Sequence, residues 1–418
     1  MPNSSLPEGN SEELGFDEGR LAQIGPEMQK YVDDRRVPHL VTLLARHGKI
    51  VHFESRGVLD FDTQVSAPRD TLCRMFSNTK PIAGVATLIL YERGVLTPDD
   101  PVAKFLPEWS DLRVISPTEP MFPRRAQRQM TIRDLITNTT GLTNPAFAPS
   151  YFRNQYRETL EKLGWVRPRE GSEERERLSN RERVRALAEL PLSAHPGESF
   201  VYHAGYPILS ALLEEACGQN LEQFFGENIF EPLQMNDTSF YLKDGGLPRF
   251  AAMYTPREVD GKMQLTIQDK AETSEKNIGP RTEFGGGGDS GGVLSTAGDY
   301  ARFGQMLLNG GELDGVRILG RKTVDMMVGN HTGDMTIPMT GPGFHWGLGV
   351  ATYHGRDRFP LIRSVGTYGW GGAAGTTYFA DPQEQLLGVV LTQVTNHGAM
   401  PDNTYQETFQ RLAYQSLV

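Results

Sequence analysis

Two serines in this chain have neighbours that could make them nucleophiles. Ser77 precedes Lys80 by three positions in MFSNTKP, and Ser290 lies within GDSGG, which fits the GxSxG pattern of serine hydrolases. A serine hydroxyl is a weak nucleophile until a neighbouring base activates it. The residues and elements around each serine therefore decide which of the two could attack an acyl group.

The segment around Ser77 predicts that Ser77 and Lys80 face the same way at the start of a helix, because side chains three positions apart share one helical face. Pro81 lacks an amide N–H and is tolerated only in a first turn, so the helix that runs to about Tyr91 must begin near Ser77. There the Ser77 N–H has no acceptor within the helix and could stabilise an oxyanion. The alternative for an isolated SxxK match is a serine that caps the helix, followed by an exposed lysine.

The surroundings of Ser290 do not fit a nucleophile. A nucleophile elbow joins a hydrophobic strand to a helix, but EKNIGPRTEF before the glycines is not a buried strand, and helix signals start only at Ser295. Trypsin-like proteases share the letters GDSGG, yet they pair that serine with a histidine beside a cysteine, and no histidine here adjoins one. Dense glycines indicate close backbone approach or positive φ. We expect a structural loop here.

The elements that must position these residues predict an α/β (α+β) fold. LVTLLARHGKIVHFESRG alternates as two strands around a turn, and WGLGVATYHG, GTTYFADP and EQLLGVVLTQV are further strand segments near the other end. Amphipathic helices at about 21–31 and 404–417 flank them, and helical periods lie between. We expect an antiparallel sheet formed by both chain ends, with flanking terminal helices, an inserted mainly helical domain, and the active site between them. The predicted divisions are a loose segment at 1–20, an α/β domain at 21–75 and 296–418, and a mainly helical domain at 76–295.

The composition disfavours several classes of partner and cofactor. The net charge of -10, spread over mixed signs, is unsuited to holding nucleic-acid phosphates or anionic lipid. Cys73 and Cys217 are the two cysteines, which is too few for a disulfide framework or a zinc cluster. The longest apolar run is too short to span a bilayer, and residues 1–16 lack a signal pattern. We expect a cytoplasmic protein with a small-molecule substrate, no metal or organic cofactor, and neither nucleic-acid nor membrane partners. Its oligomeric state is left open.

Several stretches of the chain follow one another in an informative order: MFSNTK, YERGVLTPDDPVAKFLPEW, TIRDLITNTTGL, PGESFVYHAGYPILSALLEEACGQNLEQFFGENIFEPLQMNDTSF, GGGGDSGGVLSTAGDYARFGQMLLNGG and GWGGAAGTTYFADP. From about residue 41 to 394 the chain resembles the serine β-lactamase and penicillin-binding-protein superfamily. Within it the chain looks most like the family VIII carboxylesterases, which are similar to class C β-lactamases. The resemblance implies the β-lactamase-like fold, and it implies that the serine of the glycine-rich segment is not the nucleophile.

The resemblance also implies roles for individual residues. Ser77 becomes the acylated nucleophile, Lys80 its helical partner, and Tyr202 of FVYHAGY the second basic group. Tyrosine and lysine have reference pKa values near 10 and 10.4, so a base that works at neutral pH needs its pKa lowered by about 3. A Lys80 ammonium would favour the Tyr202 phenolate, so we favour Tyr202 as the base with Lys80 charged. The reverse assignment stays open.

After the serine–lysine pair and the tyrosine, the third motif that the resemblance leads us to expect departs from the β-lactamase pattern. Those enzymes carry Lys-Thr-Gly on the strand that lines the site, whereas this chain has Trp370-Gly371-Gly372, as the esterase branch does. The glycines let the strand approach the ester, and the N–H of Ala373 would be the second oxyanion donor. His331-Thr332-Gly333 is a rival for this element, but it does not follow a strand segment. His203 and Ala204 replace the usual Ser-Asn after the tyrosine, and His203 is either a donor at the wall of the site or a packed or solvated side chain.

The expected activity is hydrolysis of uncharged carboxylic esters with short to medium acyl chains through a Ser77 acyl-enzyme. Trp370 in place of lysine removes a cation that would attract a substrate carboxylate and adds an apolar face. Three alternatives remain: a β-lactamase or D-alanyl-D-alanine peptidase, an acyltransferase that uses the same acyl-enzyme, and a catalytically silent binding or sensor protein. The resemblance permits a promiscuous enzyme with weak cephalosporin hydrolysis.

Overall fold

The computed structural model describes residues 5–116, 119–143, 157–159, 179–202, 204–278, 292–355 and 362–418. In chain order the strands are β1 His39–Arg46, β2 Lys49–Gly57, β3 Cys73–Arg74, β4 Arg113–Ser116, β5 Glu119–Arg125, β6 Met253–Val259, β7 Lys262–Asp269, β8 Leu294–Ser295, β9 Glu312–Leu313, β10 Val316–Arg317, β11 Phe344–Trp346, β12 Ala351–Tyr353, β13 Tyr368–Gly371, β14 Thr377–Asp381 and β15 Leu386–Leu391. The α-helices are α1 Glu18–Leu21, α2 Ile24–Asp33, α3 Thr79–Glu92, α4 Ile132–Ile136, α5 Asn180–Leu187, α6 Tyr206–Cys217, α7 Leu221–Phe225, α8 Ala297–Leu308, α9 Arg321–Val328 and α10 Tyr405–Gln415.

The largest sheet has seven antiparallel strands in the order β11-β12-β13-β14-β15-β1-β2. Its closure depends on the pairing of β1 with β15, in which Leu43 lies opposite Val389, so the two ends of the chain share one sheet. The β1–β2 hairpin turns at His47 and Gly48, whose positive φ angles of 51° and 75° are those of a turn that follows the natural twist of the strands. The predicted antiparallel sheet built from both chain ends is confirmed.

Helices cover both faces of this sheet. On one face, Phe379 and Val390 pack with Ile24 of α2 and Phe409 of α10. On the other face α8 lies along β1, β14 and β15, and Tyr300 is fully buried there. A sheet with two apolar faces needs such cover on both sides, which explains why the terminal helices flank it.

The N-terminal helix begins later than the sequence pattern alone indicates. We expected a helix from Leu21 to Tyr31, whereas α1 ends at Leu21 and the longer α2 begins at Ile24. Pro26 explains the difference, because a proline is tolerated in the first turn of a helix and interrupts a helix that began earlier.

The mainly helical part of the chain is organised around α3. Every residue of α3 from Thr79 to Leu90 is buried, and the helix packs against α6 and α9. A helix that is apolar on all sides belongs in the interior. The 3-10 turn Phe76–Asn78, just before α3, contacts strand β13 of the large sheet, so the junction of sheet and helices lies beside Ser77.

The boundaries of the two predicted domains stay a prediction. The short β3–β8 ladder pairs Cys73 with Ser295, beside both expected boundaries. The β6–β7 hairpin falls within the range assigned to the helical domain, yet its Tyr254 packs among the terminal helices and β14. Within the described ranges, no helix has the length and apolarity that crossing a bilayer requires.

Candidate active site

Ser77 and Lys80 are in contact. Lys80 Nζ lies 2.9 Å from Ser77 Oγ. Ser77 occupies a 3-10 turn, Phe76–Asn78, that leads directly into α3, and Pro81 falls in the first turn of that helix. The residue spacing and the position of Pro81 therefore place the two side chains as expected.

The turn that carries Ser77 is held from several directions. Phe76 has a φ angle of +46°, which is uncommon for a residue with a side chain and persists only where the surroundings enforce it. Asn78 Nδ2 donates to Thr376 Oγ1 at 3.0 Å, and Tyr300 OH donates to the Asn78 carbonyl at 2.7 Å. These contacts fix the direction in which the hydroxyl of Ser77 points.

Lys80 is buried among aromatic rings. Lys80 is 2% exposed. Its Nζ lies 4.7 Å from the Tyr202 ring centroid and 4.8 Å from that of Tyr206. Burial lowers the pKa of Lys80 to about 7, because a charged amine loses hydration in this environment. A neutral amine, which can accept a proton, is therefore accessible near neutral pH.

Tyr202 lies beside the same pair. Burial raises the pKa of the Tyr202 phenol above its ordinary value, while hydrogen bonds with Ser77 and Trp370 act in the opposite direction. Trp370 Nε1 donates to Tyr202 OH at 2.7 Å. The phenol therefore stays neutral, and these two pKa directions favour Lys80 as the proton acceptor. The preference for a Tyr202 phenolate beside a charged Lys80 gains no support, because burial disfavours both charges.

Two aromatic residues that sequence reasoning missed complete the wall around Tyr202. Trp346 packs edge-on against Tyr202 and Trp370, with ring centroids at 5.9 Å and 4.5 Å. Trp346 Nε1 and Tyr206 OH both donate to the carbonyl of Ile136, each at 2.9 Å. The repeated tyrosine in YHAGY was the available signal for Tyr206. The role of Trp346 had no local signal, since its partners are distant in the chain.

The end of strand β13 approaches the backbone just before Ser77. A Cβ at Gly372 would overlap the carbonyl oxygen of Met75 and Thr376 Oγ1, so only glycine permits this contact, whereas a Cβ at Gly371 would lie 3.2 Å from its nearest neighbour, the Thr376 carbonyl oxygen. Ala373 is exposed and follows in a turn that is closed by Gly372 N donating to the Thr376 carbonyl at 2.7 Å. The structure thus brings the Trp370 to Ala373 segment beside the Ser77 turn, and the donor role of Ala373 stays a prediction.

The glycine-rich segment ends against the same turn. Gly292 has a φ angle of +65°, and a Cβ there would overlap Thr79 Oγ1. Val293 N donates to Thr79 Oγ1 at 3.1 Å. This close backbone approach is the structural role that we expected from the dense glycines in the sequence. Ser290 and His203 lie outside the described residues.

The segment around His331, the alternative to Trp370-Gly371-Gly372 in the sequence, makes hydrogen bonds with other parts of the chain. Its Nε2 donates to the Met326 carbonyl at 2.7 Å, which leaves Nδ1 to accept from Arg133 Nη1 at 2.6 Å. Thr332 Oγ1 accepts from the backbone N of Trp346 at 3.0 Å, so this segment lies behind Trp346. Across the ranges that the structure describes, no cluster of three or more His, Cys, Asp and Glu side chains is arranged to hold a metal ion.

Comparison with known proteins agrees with this fold. The protein-family model described as Beta-lactamase matches residues 27–412. Protein Rv1367c of Mycobacterium tuberculosis (strain ATCC 25618 / H37Rv) is 30% identical over 368 residues, which cover 84% of this chain and 85% of that protein. Esterase EstB of Burkholderia gladioli is 28% identical over 388 residues, which cover 90% of this chain and 91% of that protein.

The solved structure of EstCE1, described as a hydrolase with promiscuous acyltransferase activity, superposes with a TM-score of 0.74. At 24% identity, with 95% of this chain and 99% of that chain covered, it shows that the fold is shared. The expected β-lactamase-like fold and superfamily are therefore confirmed. By the match of the family model over residues 27–412, the chain belongs to the beta-lactamase family.

Proposed function

We propose that this protein is a serine carboxylesterase that hydrolyses uncharged esters of short to medium acyl chain length. The observation that carries the proposal is the buried Lys80 amine, 2.9 Å from the hydroxyl of Ser77 and beside Tyr202. A serine hydroxyl is activated for acyl transfer by an adjacent base, and a neutral amine next to it can serve as that base. The esterase EstB, similar over 90% of this chain, supports the same class of reaction.

The proposed reaction begins with the ester carbonyl oxygen between the N–H groups of Ser77 and Ala373. Ser77 Oγ attacks the carbonyl carbon as its proton passes to the neutral Lys80 amine. The tetrahedral intermediate collapses and the alkoxide leaves as the alcohol, protonated from Lys80 through the Tyr202 hydroxyl. Water then attacks the Ser77 ester by the same route and releases the acid.

The tryptophan on strand β13 supports an uncharged ester as the substrate. Trp370 stands where β-lactamases have a lysine, and its indole N–H is used on Tyr202 OH. The site therefore has an aromatic edge at the place where the lysine of a β-lactamase would attract a substrate carboxylate. Ala204 also lacks the amide that would hold the side chain of a β-lactam. Both features support esters over β-lactams and peptides that end in a free carboxylate.

A second candidate function is acyl transfer to an alcohol. The acyl-enzyme on Ser77 would be the same, and only the second nucleophile would differ. EstCE1, which shares this fold, combines hydrolase activity with promiscuous acyltransferase activity. Hydrolysis stands first for this chain because water needs no acceptor site of its own.

The test is covalent labelling combined with turnover. The protein is incubated with a fluorophosphonate and its intact mass and peptide map are recorded, while p-nitrophenyl butyrate and nitrocefin rates are measured in parallel. The proposal expects one label, on Ser77, and ester turnover far above nitrocefin turnover. Label on another residue, no label on folded protein, or equal rates on both substrates would contradict it. Added alcohol acceptors measure the partition between hydrolysis and transfer.

A further inference from the structure

The two N–H groups proposed to hold the oxyanion belong to segments that are far apart in the chain. Ser77 lies in the 3-10 turn Phe76–Asn78, and Ala373 lies in the turn that follows β13. Donors of this kind stabilise an oxyanion only when they are held in advance at about 2.7–3.1 Å from the developing charge. Contacts between the two turns must therefore set the distance between the two donors.

The hydroxyl of Thr376 binds both ends of the turn that carries Ser77. It accepts a hydrogen bond from Asn78 Nδ2 at 3.0 Å and donates a longer one, of 3.4 Å, to the Met75 carbonyl. A hydroxyl can donate and accept at the same time, so one side chain serves both contacts. The Met75 carbonyl also accepts from Asn78 N at 3.0 Å, which closes the turn. Asn78 and Thr376 are fully buried, and a hydrogen bond is stronger in such surroundings than in water.

The backbone of Thr376 closes the turn that carries Ala373. Its carbonyl accepts from Gly372 N at 2.7 Å, and Gly375 N donates to the Gly372 carbonyl at 2.9 Å. From the side of α10, Tyr405 OH donates to the Gly375 carbonyl at 2.9 Å. Thr376 therefore joins the two turns, because its backbone closes one of them and its side chain binds the other.

The two turns are packed closely at this contact. A Cβ at Gly372 would overlap both the Met75 carbonyl oxygen and Thr376 Oγ1, so the strand backbone, the carbonyl and the hydroxyl meet at one point. On the α8 side, Tyr300 OH donates to the Asn78 carbonyl at 2.7 Å. Asn78 is thus held through its side chain and through its backbone. The Thr376 hydroxyl is the polar side-chain group that connects this anchored turn to the turn after β13.

We propose that Thr376 is a positioning residue that sets the separation of the two oxyanion donors, the N–H groups of Ser77 and Ala373. The hydroxyl acts through the backbone of the two turns and not on the ester itself. This role rests on the proposed esterase function, because it concerns the same reaction.

The test compares two substitutions of Thr376, since valine keeps the shape of threonine without the hydroxyl and serine keeps the hydroxyl. Thr376→Val should lower kcat for p-nitrophenyl butyrate about 10- to 10²-fold, because a misplacement of about 1 Å can have an effect of that size. KM should change by less than about twofold, because the donors act mainly in the transition state. Thr376→Ser should retain most of the wild-type kcat.

Thr392→Val is the matched control. Thr392 is a fully buried threonine beside Gly375, and its hydroxyl has no hydrogen-bond partner among the residues that the structure describes. The same substitution there should leave kcat unchanged. Thermal unfolding checks that each variant is folded.

A boronic acid gives a second measurement that does not require turnover. Butylboronic acid forms a tetrahedral adduct with a nucleophilic serine, in which one oxygen takes the place of the oxyanion. Its inhibition or binding constant should be weakened in Thr376→Val by about the factor by which kcat/KM falls. If Thr376→Val does not fold, Asn78→Ala decides, because it removes the other partner of the same hydrogen bond and should lower kcat in the same way.

A folded Thr376→Val with the kcat and the boronic acid affinity of the wild type would overturn the positioning role and leave the esterase function intact. A folded Thr376→Ser as impaired as Thr376→Val would also overturn it, because the hydroxyl would then not be the group that matters. Wild-type protein with neither ester turnover nor labelling of Ser77 would instead refute the proposed function, and the positioning role with it.

Discussion

At the scale of single residues, the proposed chemistry depends on how burial shifts the pKa values of two ionisable groups in opposite directions. Lys80 and Tyr202 share one apolar pocket, so the amine loses its proton more easily and the phenol holds its proton more firmly. Near pH 7 the phenol is neutral, and about half of the Lys80 amine has lost its proton. In the proposed mechanism the neutral amine accepts the proton of Ser77, while the phenol serves as a donor toward the leaving group.

We predict that kcat/KM for p-nitrophenyl butyrate rises with pH through about 7. Below that pH Lys80 is an ammonium and cannot accept a proton, and above it the amine is neutral. A Tyr202 phenolate acting as the base would instead require a rise at much higher pH, because burial raises the pKa of that phenol. The pH profile of the free enzyme separates the two assignments.

Lys80→Arg tests the same point by substitution. Arginine keeps the positive charge but does not lose its proton, so we expect kcat to fall by about 10²- to 10⁴-fold, the range of general-base catalysis. Lys80→Met, which has a similar length and no charge, should be equally impaired. Substantial activity in Lys80→Arg with none in Lys80→Met would mean that charge, and not proton transfer, is the role of this side chain.

Ser77 and Ser290 can be compared directly by substitution. Ser77→Ala should remove fluorophosphonate labelling and nearly all ester turnover, because the attacking oxygen is gone. Ser290→Ala should retain labelling and ester turnover. Circular dichroism shows whether each variant is folded. An inactive, folded Ser290→Ala together with an active Ser77→Ala would reverse the assignment.

At the scale of elements, glycines set how closely the segments of the site approach one another. The end of β13 touches the backbone before Ser77 at Gly372, and the end of the glycine-rich segment touches the start of α3 at Gly292. A methyl group at either place would separate elements that come from distant parts of the chain. The geometry of the proposed oxyanion donors therefore depends on contacts that involve no proposed catalytic side chain.

We predict that Gly372→Ala lowers kcat by about 10²- to 10³-fold with a smaller change in KM. The added Cβ overlaps the Met75 carbonyl and should displace the N–H of Ala373 from the oxyanion, and the loss of one such donor typically has this effect. Gly398→Ala is the matched control, because a Cβ there meets no atom of the described residues within 4 Å. A Gly372→Ala enzyme with normal kcat would show that the Ala373 N–H is not needed.

At the scale of the whole molecule, the sheet joins the two ends of the chain, so stability depends on the β1–β2 hairpin staying in place beside β15. Two histidines of this hairpin are buried, and burial lowers the pKa of His39 and of His52 to about 4. His52 Nε2 lies 2.8 Å from Thr42 Oγ1 on the neighbouring strand. The hairpin therefore carries neutral imidazoles that become charged when the chain unfolds in mild acid.

We predict that the free energy of unfolding falls as the pH drops from about 6.5 toward 4. In this interval the unfolded chain binds protons that the folded chain excludes, because the folded-state pKa values of both histidines lie below the unfolded value. Each histidine should cost roughly 2 kcal/mol between pH 7.5 and pH 5. Urea unfolding curves at the two pH values measure the change.

His52→Gln should flatten that dependence, since glutamine does not titrate. His47→Gln is the matched control because His47 is exposed in the hairpin turn, and it should behave as the wild type does. Equal pH dependence in His52→Gln and the wild type would show that acid sensitivity arises from other groups.

Prediction from sequence succeeded where the constraint was local. The Ser77 and Lys80 pair followed from three-residue spacing and from Pro81, because both act within one helical turn. Tyr202 was reached only through the family resemblance, since its neighbours in the chain carry no catalytic pattern. Trp346 and the hydrogen bond from Trp370 to Tyr202 had no sequence signal, because these contacts join residues far apart in the chain. The roles assigned to Ala373 and to His203 stay predictions.

By itself the sequence determined the strand and helix pattern, the antiparallel sheet from both chain ends, the family, and the serine with its lysine partner. Hydrophobic period, proline geometry and residue spacing act along the chain, so they can be read from its letters. Only the tertiary structure showed how burial shifts the pKa values of Lys80 and Tyr202 and why Gly372 and Gly292 are glycines. Each of these depends on the atoms that cover a group, and desolvation is set by neighbours brought from distant parts of the chain.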